Sequence, residues 1–208
     1  MIISPTKSLM LVDDHDLVRV SLANLLAPRT EIEITGQFGN PAEAIAFLEK
    51  EEPELAMIDL MLGQGSGLDI VRHIEEKGLA TEVLMITGMA SPVLINLAIS
   101  LKSVRGIVSK YDSASEVLAG LEAVSAHENY LSPSLKKILE SGPNTRQKLT
   151  VREFEVMALV ADGMEDKEVA QRLSISLPTV KTHRRNLRSK LGVRNTAELT
   201  KFALTGRR

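Results

Sequence analysis

Leu55-Ala56-Met57-Ile58-Asp59 is four apolar residues closed by a carboxylate, and three other stretches repeat that arrangement. Ser8-Leu9-Met10-Leu11-Val12 is followed by Asp13-Asp14, Val83-Leu84-Met85-Ile86 by Thr87, and Gly106-Ile107-Val108 leads through Ser109 into Lys110. Short, near-continuous apolar runs suit parallel strands buried on both faces. Residues 32–38 give a fifth, weaker strand. Helical patterns fall between the strands at about 16–27, 41–51, 67–77, 92–102 and 113–126, and Asn40-Pro41 and Ser91-Pro92 each put a capping residue before proline. Five strand–helix units predict an α/β domain whose doubly wound sheet binds ligands beyond the carboxyl ends of its strands, near a reversal in strand order.

A chain of 208 residues suits two compact domains and a linker. It holds no apolar run as long as the roughly eighteen residues of a membrane span, and its first residues lack a signal-peptide pattern, so a soluble cytoplasmic protein with no membrane partner is expected. With no cysteine, and with His15, His73, His127 and His183 outside zinc-ligand spacing, any metal should be held by oxygen. The net charge of −2 hides an asymmetry. Residues 1–125 carry nine Lys and Arg against eighteen Asp and Glu, whereas residues 149–208 carry twelve against seven; beyond residue 174, nine basic groups face only Glu198. An acidic half suits a cation or phosphodonor, and a basic tail suits a polyanion.

Residues 127–148, with Ser132-Pro133 and Ser141-Gly142-Pro143-Asn144, read as a linker containing one short helix. It separates residues 1–126 from residues 149–208, where four helical stretches at 150–162, 166–173, 177–191 and 195–204 predict an all-α helix-turn-helix domain. Thr150 and Glu153 form a capping box that fixes the first helix start. Phe154, Leu159, Val169, Leu173, Ile175, Val180, Leu187, Leu191 and Leu199 give an inward stripe. On the helix after Ser176, Lys181, Thr182, Arg185 and Arg188 share the opposite face, which suits a DNA major groove or, more plainly, a solvated charged surface.

With the strands so placed, Asp13, Asp14 and Asp59 converge. Carboxylates a few ångströms apart repel by about 4 kcal/mol per pair at an effective dielectric near 20, which a divalent cation relieves. Magnesium suits such hard oxygen ligands. Asp59 is the natural nucleophile for a phosphoryl group, Lys110 neutralises charge, and the Thr87 hydroxyl can report the modification. The plainer reading makes the acids helix caps, Thr87 a turn residue and Lys110 a surface group. His15 more simply flanks the first helix than carries a proton.

Val12-Asp13-Asp14-His15, Ile58-Asp59-Leu60, Gly67-Leu68, Ile86-Thr87-Gly88 and Ser109-Lys110 resemble the signatures of the receiver domain of two-component response regulators, across residues 7–126. The resemblance implies a five-stranded, flavodoxin-like sheet of order 2-1-3-4-5. It also implies phosphorylation of Asp59 by a sensor histidine kinase, magnesium held by Asp13, Asp14, Asp59 and the backbone carbonyl of Met61, Thr87 as switch hydroxyl, and Lys110 as phosphoryl partner. Two positions depart from the pattern: Ile107 stands where many receivers carry an aromatic switch residue, and Gly63 where proline is common, so that the loop is expected to be looser. Met61 and Met89, each two residues past a site residue, offer no polar group to orient water, so slow spontaneous dephosphorylation is expected; equally, they fill surface gaps.

The stretch with Lys167-Glu168-Val169-Ala170, Thr179-Val180-Lys181-Thr182-His183 and Lys190-Leu191-Gly192-Val193-Arg194 resembles the LuxR-type helix-turn-helix of the NarL/FixJ group. By that resemblance Lys181, Thr182 and Arg185 face bases, while Lys167, Thr179, His183 and Arg184 lie nearer the phosphates. The last helix is a dimer contact or intrachain core. The implied protein is a regulator rather than an enzyme: a transcription factor switched by magnesium-dependent phosphorylation, binding double-stranded DNA as a dimer. One alternative is a phosphorylation-independent DNA-binding protein whose receiver serves as a dimerisation scaffold; the other, a phosphotransfer relay or autophosphatase enzyme, would need only the first domain, and the basic tail speaks against it.

Overall fold

A computed structural model describes residues 6–63, 65–88, 92–141, 149–161 and 163–205. The four apolar runs are strands β1 (Lys7–Val12), β3 (Leu55–Asp59), β6 (Glu82–Thr87) and β7 (Val104–Ser109), and the weaker run is β2 (Ile32–Phe38). Burial explains the difference in signal: β3 is buried at every residue, whereas β2 alternates between half-buried and exposed, as an edge strand does. These five strands pair in parallel, in the order β2-β1-β3-β6-β7. The expected order of five is therefore present, extended by a sixth, two-residue strand β8 (Tyr130–Leu131) inside the stretch read as linker. Its backbone joins the edge at Gly106 and Ile107, and Ser132 N–H continues the ladder to the Ile107 carbonyl at 3.1 Å. A second addition is the antiparallel pair β4 (Met61–Leu62) and β5 (Gly65–Ser66), just after Asp59.

The crossover helices are α1 (Asp16–Leu26), α2 (Pro41–Leu48), α3 (Gly67–Lys77), α4 (Pro92–Ile99) and α5 (Ala114–Ser125). Asn40 caps α2 by accepting from Glu43 N at 3.0 Å, with Pro41 in the first turn, and Ser66 and Ser113 cap α3 and α5 likewise. The capping expected of Ser91 lies outside the described residues. One face of the sheet buries Leu9, Leu11, Met57, Leu84, Ile86 and Val108 with Leu26 of α1 and Val117, Leu121 and Val124 of α5.

The chain divides into two compact units, residues 1–88 with 101–132, and residues 89–100 with 133–208. Helix α4, which the sequence reading places in the first domain, groups with the second unit, where it packs against α6 (Pro133–Ser141). Buried Ile95 and Ala98 account for its apolar pattern. The rest of that unit is α7 (Val151–Ala161), α8 (Asp166–Arg172), α9 (Leu177–Leu191) and α10 (Thr196–Thr205), within about a residue of expectation. Eight residues of the predicted inward stripe are buried; Ile175 is half-buried. On α10, Leu199, Phe202 and Ala203 are buried in this chain's own core and Ala197 is exposed, so the helix chiefly closes the unit.

Candidate functional site

The order β2-β1-β3 reverses direction at β1, and the reversal opens a crevice at the carboxyl ends of β1 and β3. Register places the chemistry there: Val12 pairs with Ile58, Asp59 with Ile86, and Thr87 with Ser109, so each apolar run delivers its polar end at the same edge. Asp13, Asp59 and Thr87 are buried, Asp14 is half-buried, and Lys110 is mostly covered.

Lys110 Nζ donates to Asp59 Oδ2 at 2.8 Å and lies 2.8 Å from Asp13 Oδ2. Met61 N–H donates to Asp59 Oδ1 at 3.3 Å. Burial pushes the Asp59 carboxyl up to about 6; the Lys110 ammonium opposes the rise, and the charge of Asp13 adds to it. For Lys110, burial works against the charged form, but Asp13 and Asp59 outweigh it and hold the ammonium above the ordinary lysine range. The site thus keeps two carboxylates beside one fixed cation.

Asp13, Asp14, His15 and Asp59 offer ligand atoms that all lie within 4.8 Å of one another. Asp13 Oδ2 and Asp14 Oδ1 are buried without a well-directed hydrogen bond, although each lies beside a basic nitrogen, Lys110 Nζ or His15 Nδ1. Underused carboxylate oxygens in a tight cluster are a donor set that fits a divalent cation. His15 occupies the N-cap of α1 without a side-chain cap bond; its imidazole instead stands 2.9 Å from Asp14.

Two glycines matter in a way sequence reasoning missed. A Cβ at Gly63 would stand 2.7 Å from Asp14 Oδ2, and one at Gly67 only 2.1 Å from the Asp59 carbonyl oxygen. The missing proline at position 63 thus leaves room for the Asp14 carboxylate. Ile107 is buried, paired with Met85 on one side and Leu131 on the other. Met61 is half-buried; Met89 lies outside the described residues.

In the second unit, α9 begins at a Ser176 cap and ends at Gly192, which takes the left-handed conformation at φ 65°. Val180, Leu187 and Leu191 anchor it, leaving Lys181, Thr182, Arg185 and Arg188 exposed, with Lys167 exposed on α8. A cleft of about 320 Å³ is lined by Asp166, Lys181, Arg184, Arg185 and Arg188. Thr182 Oγ1 donates to the Pro178 carbonyl at 3.0 Å, which leaves the hydroxyl oxygen able to accept, and Thr179 shares a 2.7 Å hydrogen bond with Ser176. His183 is half-buried. Arg184 differs from its neighbours: its guanidinium pairs with Asp166 Oδ1 and donates to Thr196 Oγ1 at 2.6 Å. Among the described residues no helix is long and apolar enough to cross a membrane.

Residues 9–122 match the response regulator receiver domain, and residues 147–203 match the luxR family of bacterial regulatory proteins. The transcriptional regulatory protein UhpA of Escherichia coli K12 is 35% identical over 196 residues, which cover 94% of this chain and 97% of UhpA. The response regulator protein VraR of Staphylococcus aureus NCTC 8325 is 27% identical over 202 residues, covering 95% and 96%. In fold, the chain is similar to RcsB from Salmonella enterica serovar Typhimurium bound to promoter P1flhDC with the phosphomimetic BeF3−, at a TM-score of 0.76 and 23% identity over 95% of this chain and 98% of that one. The acidic strand-end site and the basic helix thus sit in the two segments that these families define, and the chain belongs to the response regulators of the NarL/FixJ group, DNA-binding regulators in which a receiver domain precedes a LuxR-type helix-turn-helix domain.

Proposed function

We propose that this protein is a cytoplasmic transcription factor whose grip on DNA is set by phosphorylation of Asp59 from a sensor histidine kinase, and that it binds paired half-sites as a dimer. The proposed division is a receiver over residues 1–126, a connector over 127–148 and a DNA-binding domain over 149–208. The observation that carries the reading is the Lys110 ammonium held between Asp13 and Asp59 at the crevice, on the same chain as the exposed basic face of α9.

Phosphoryl transfer forms an O–P bond on a carboxylate oxygen of Asp59 and breaks the N–P bond of the donor histidine, whose leaving nitrogen takes a proton. Such transfer needs mainly positioning and charge neutralisation. The Met61 N–H and Lys110 fix the carboxylate, and Lys110 remains beside the added negative charge. Magnesium, held by Asp13, Asp14, Asp59 and the Met61 carbonyl, would supply further neutralisation of the phosphoryl oxygens. The Thr87 hydroxyl is the proposed reporter of the phosphoryl group. Met61 gives attacking water no polar guide, so the acyl phosphate should decay slowly. On DNA, Lys181, Thr182 and Arg185 are the proposed base-facing residues, with Lys167, Thr179, His183 and Arg188 nearer the phosphates; Arg184, which its place in the motif puts there too, is instead paired with Asp166 and Thr196.

Moving a population from 1% to 99% competent takes about 5.5 kcal/mol, more than one charge pair supplies, so dimerisation on DNA must contribute. The buried, strand-flanked Ile107 cannot signal as a rotating ring would, which favours a second reading: DNA binding that ignores phosphate. One experiment separates them. Duplexes selected from a random pool by the full chain are titrated with and without a phosphodonor, for wild type and Asp59→Ala. The expected result is a donor-dependent gain in affinity that Asp59→Ala abolishes; an equal gain in the variant defeats the proposal, and no gain in either favours the second reading.

A further inference from the structure

Arg184 lies one residue before Arg185 on α9, and its position in the motif suggests a phosphate contact. Its side chain lines the same cleft as that of Arg185 but is held back against the neighbouring helices. It is only 15% exposed, and its fork ends on the first residues of two other helices, Asp166 of α8 and Thr196 of α10. Asp166 is 26% exposed and is the one acid among the residues lining the basic cleft. A guanidinium is planar and presents several donors in fixed directions, so it can hold two acceptors on separate helices at once, which a lysine ammonium on a flexible stem does poorly. Swinging Arg184 onto a phosphate would leave the Asp166 carboxylate unpaired and facing a second anion.

We propose that Arg184, with Asp166 and Thr196, is a positioning residue for DNA recognition: it sets the angle of α9 against α8 and α10 and makes no phosphate contact itself. This rests on the DNA-binding reading above. The basic groups that neutralise phosphate are then Lys167 and Arg188, whose side chains are exposed. Because the strut acts through geometry, removing it should harm discrimination between sequences more than attraction to a duplex.

Salt dependence separates the two roles, since each phosphate neutralised by a protein cation contributes about 0.9 to the slope of log affinity against log salt. The full chain is titrated by fluorescence anisotropy over a range of salt, on a duplex selected from the random pool and on a random-sequence duplex. Lys167→Gln and Arg188→Gln should each lower the slope by about one. Arg184→Lys and Arg184→Gln should leave the slope of the wild type, keep affinity for the random duplex, and weaken the selected duplex about tenfold. Asp166→Asn, which leaves every basic group in place, should lose discrimination in the same way. Circular dichroism confirms that each variant is folded, and Arg184→Lys keeps the charge and the stem if the glutamine variant is not. The proposal is overturned if Arg184→Gln lowers the slope by about one and weakens both duplexes alike while Arg184→Lys restores both, or if Asp166→Asn discriminates as the wild type does. A wild type that binds neither duplex in a salt-dependent way overturns the DNA-binding reading itself, before any variant is compared.

Discussion

Gly67 shows how a single residue holds the proposed acceptor in place. It opens α3 with its backbone against Asp59, so that an added Cβ would meet the Asp59 carbonyl oxygen at 2.1 Å and Ile58 Cγ2 at 2.8 Å. A backbone carbonyl inside a sheet cannot swing aside as the tip of a side chain can. Gly67→Ala is therefore expected to cost about 1–3 kcal/mol of stability, the usual penalty of overpacking, and to slow phosphoryl uptake because the displaced group belongs to the acceptor residue. Urea midpoints and the rate of labelling by acetyl phosphate check both effects. Gly88→Ala is the control, since its Cβ would find only Lys110 Cδ, at 3.8 Å; a Gly67 variant as stable and as quickly labelled as this control would refute the steric account. The acids, the hydroxyl and the lysine were legible because each ends an apolar run. The reasons for Gly63 and Gly67 were not, since close approach depends on what another segment brings near.

Strands and helices were legible in proportion to the number of residues that repeat a period. The fifteen residues of α9 carry several turns of apolar spacing plus Ser176, Pro178 and Gly192 as boundary signals, and its limits came out as read. Strand β8 and the β4–β5 pair span two residues each, too few to show alternation, and exist because neighbouring backbone is there to pair with them. The capping box at the start of α7 is of both kinds. Thr150 N–H donates to Glu153 Oε2 at 2.8 Å and Glu153 N–H to Thr150 Oγ1 at 3.2 Å, as the spacing implies. The same Glu153 oxygen also accepts from Lys190 at 2.6 Å, which ties the start of α7 to the end of α9 and was invisible in sequence. Burial works to raise the Glu153 carboxyl, but Lys190 and Thr150 outweigh it and hold the group below the usual glutamate range. A depressed folded value means that this stability is present above the unfolded glutamate value and lost as pH falls through the folded one. Glu153→Gln should thus cost about 1–3 kcal/mol at neutral pH, with the gap to wild type narrowing in acid. Thermal denaturation across that range checks it; a gap independent of pH would assign the loss to packing.

At the scale of the whole molecule, charge is divided as the two activities require, with a large acidic excess before residue 126 and a basic one after residue 148. Each partner therefore has a strong preference for one part of the chain, and any regulation must be a coupling between two separate binding events. Such a coupling is a free energy, so it acts equally in both directions. If beryllofluoride with magnesium, standing in for the phosphoryl group at Asp59, tightens the selected duplex by some factor, the duplex must tighten beryllofluoride by the same factor. For a working switch that factor is expected to fall in the range of about 5 to 150. The first half is measured by duplex titration at saturating beryllofluoride, the second by beryllofluoride titration with the duplex saturating. Both are read at one salt concentration, because the duplex term alone varies steeply with salt. Asp59→Asn should return both factors to one without changing the affinity for duplex in the absence of beryllofluoride. A factor of one in both directions for the wild type would mean that the acidic site and the basic helix share a chain without sharing a switch, and the phosphorylation-independent reading would then be the correct one.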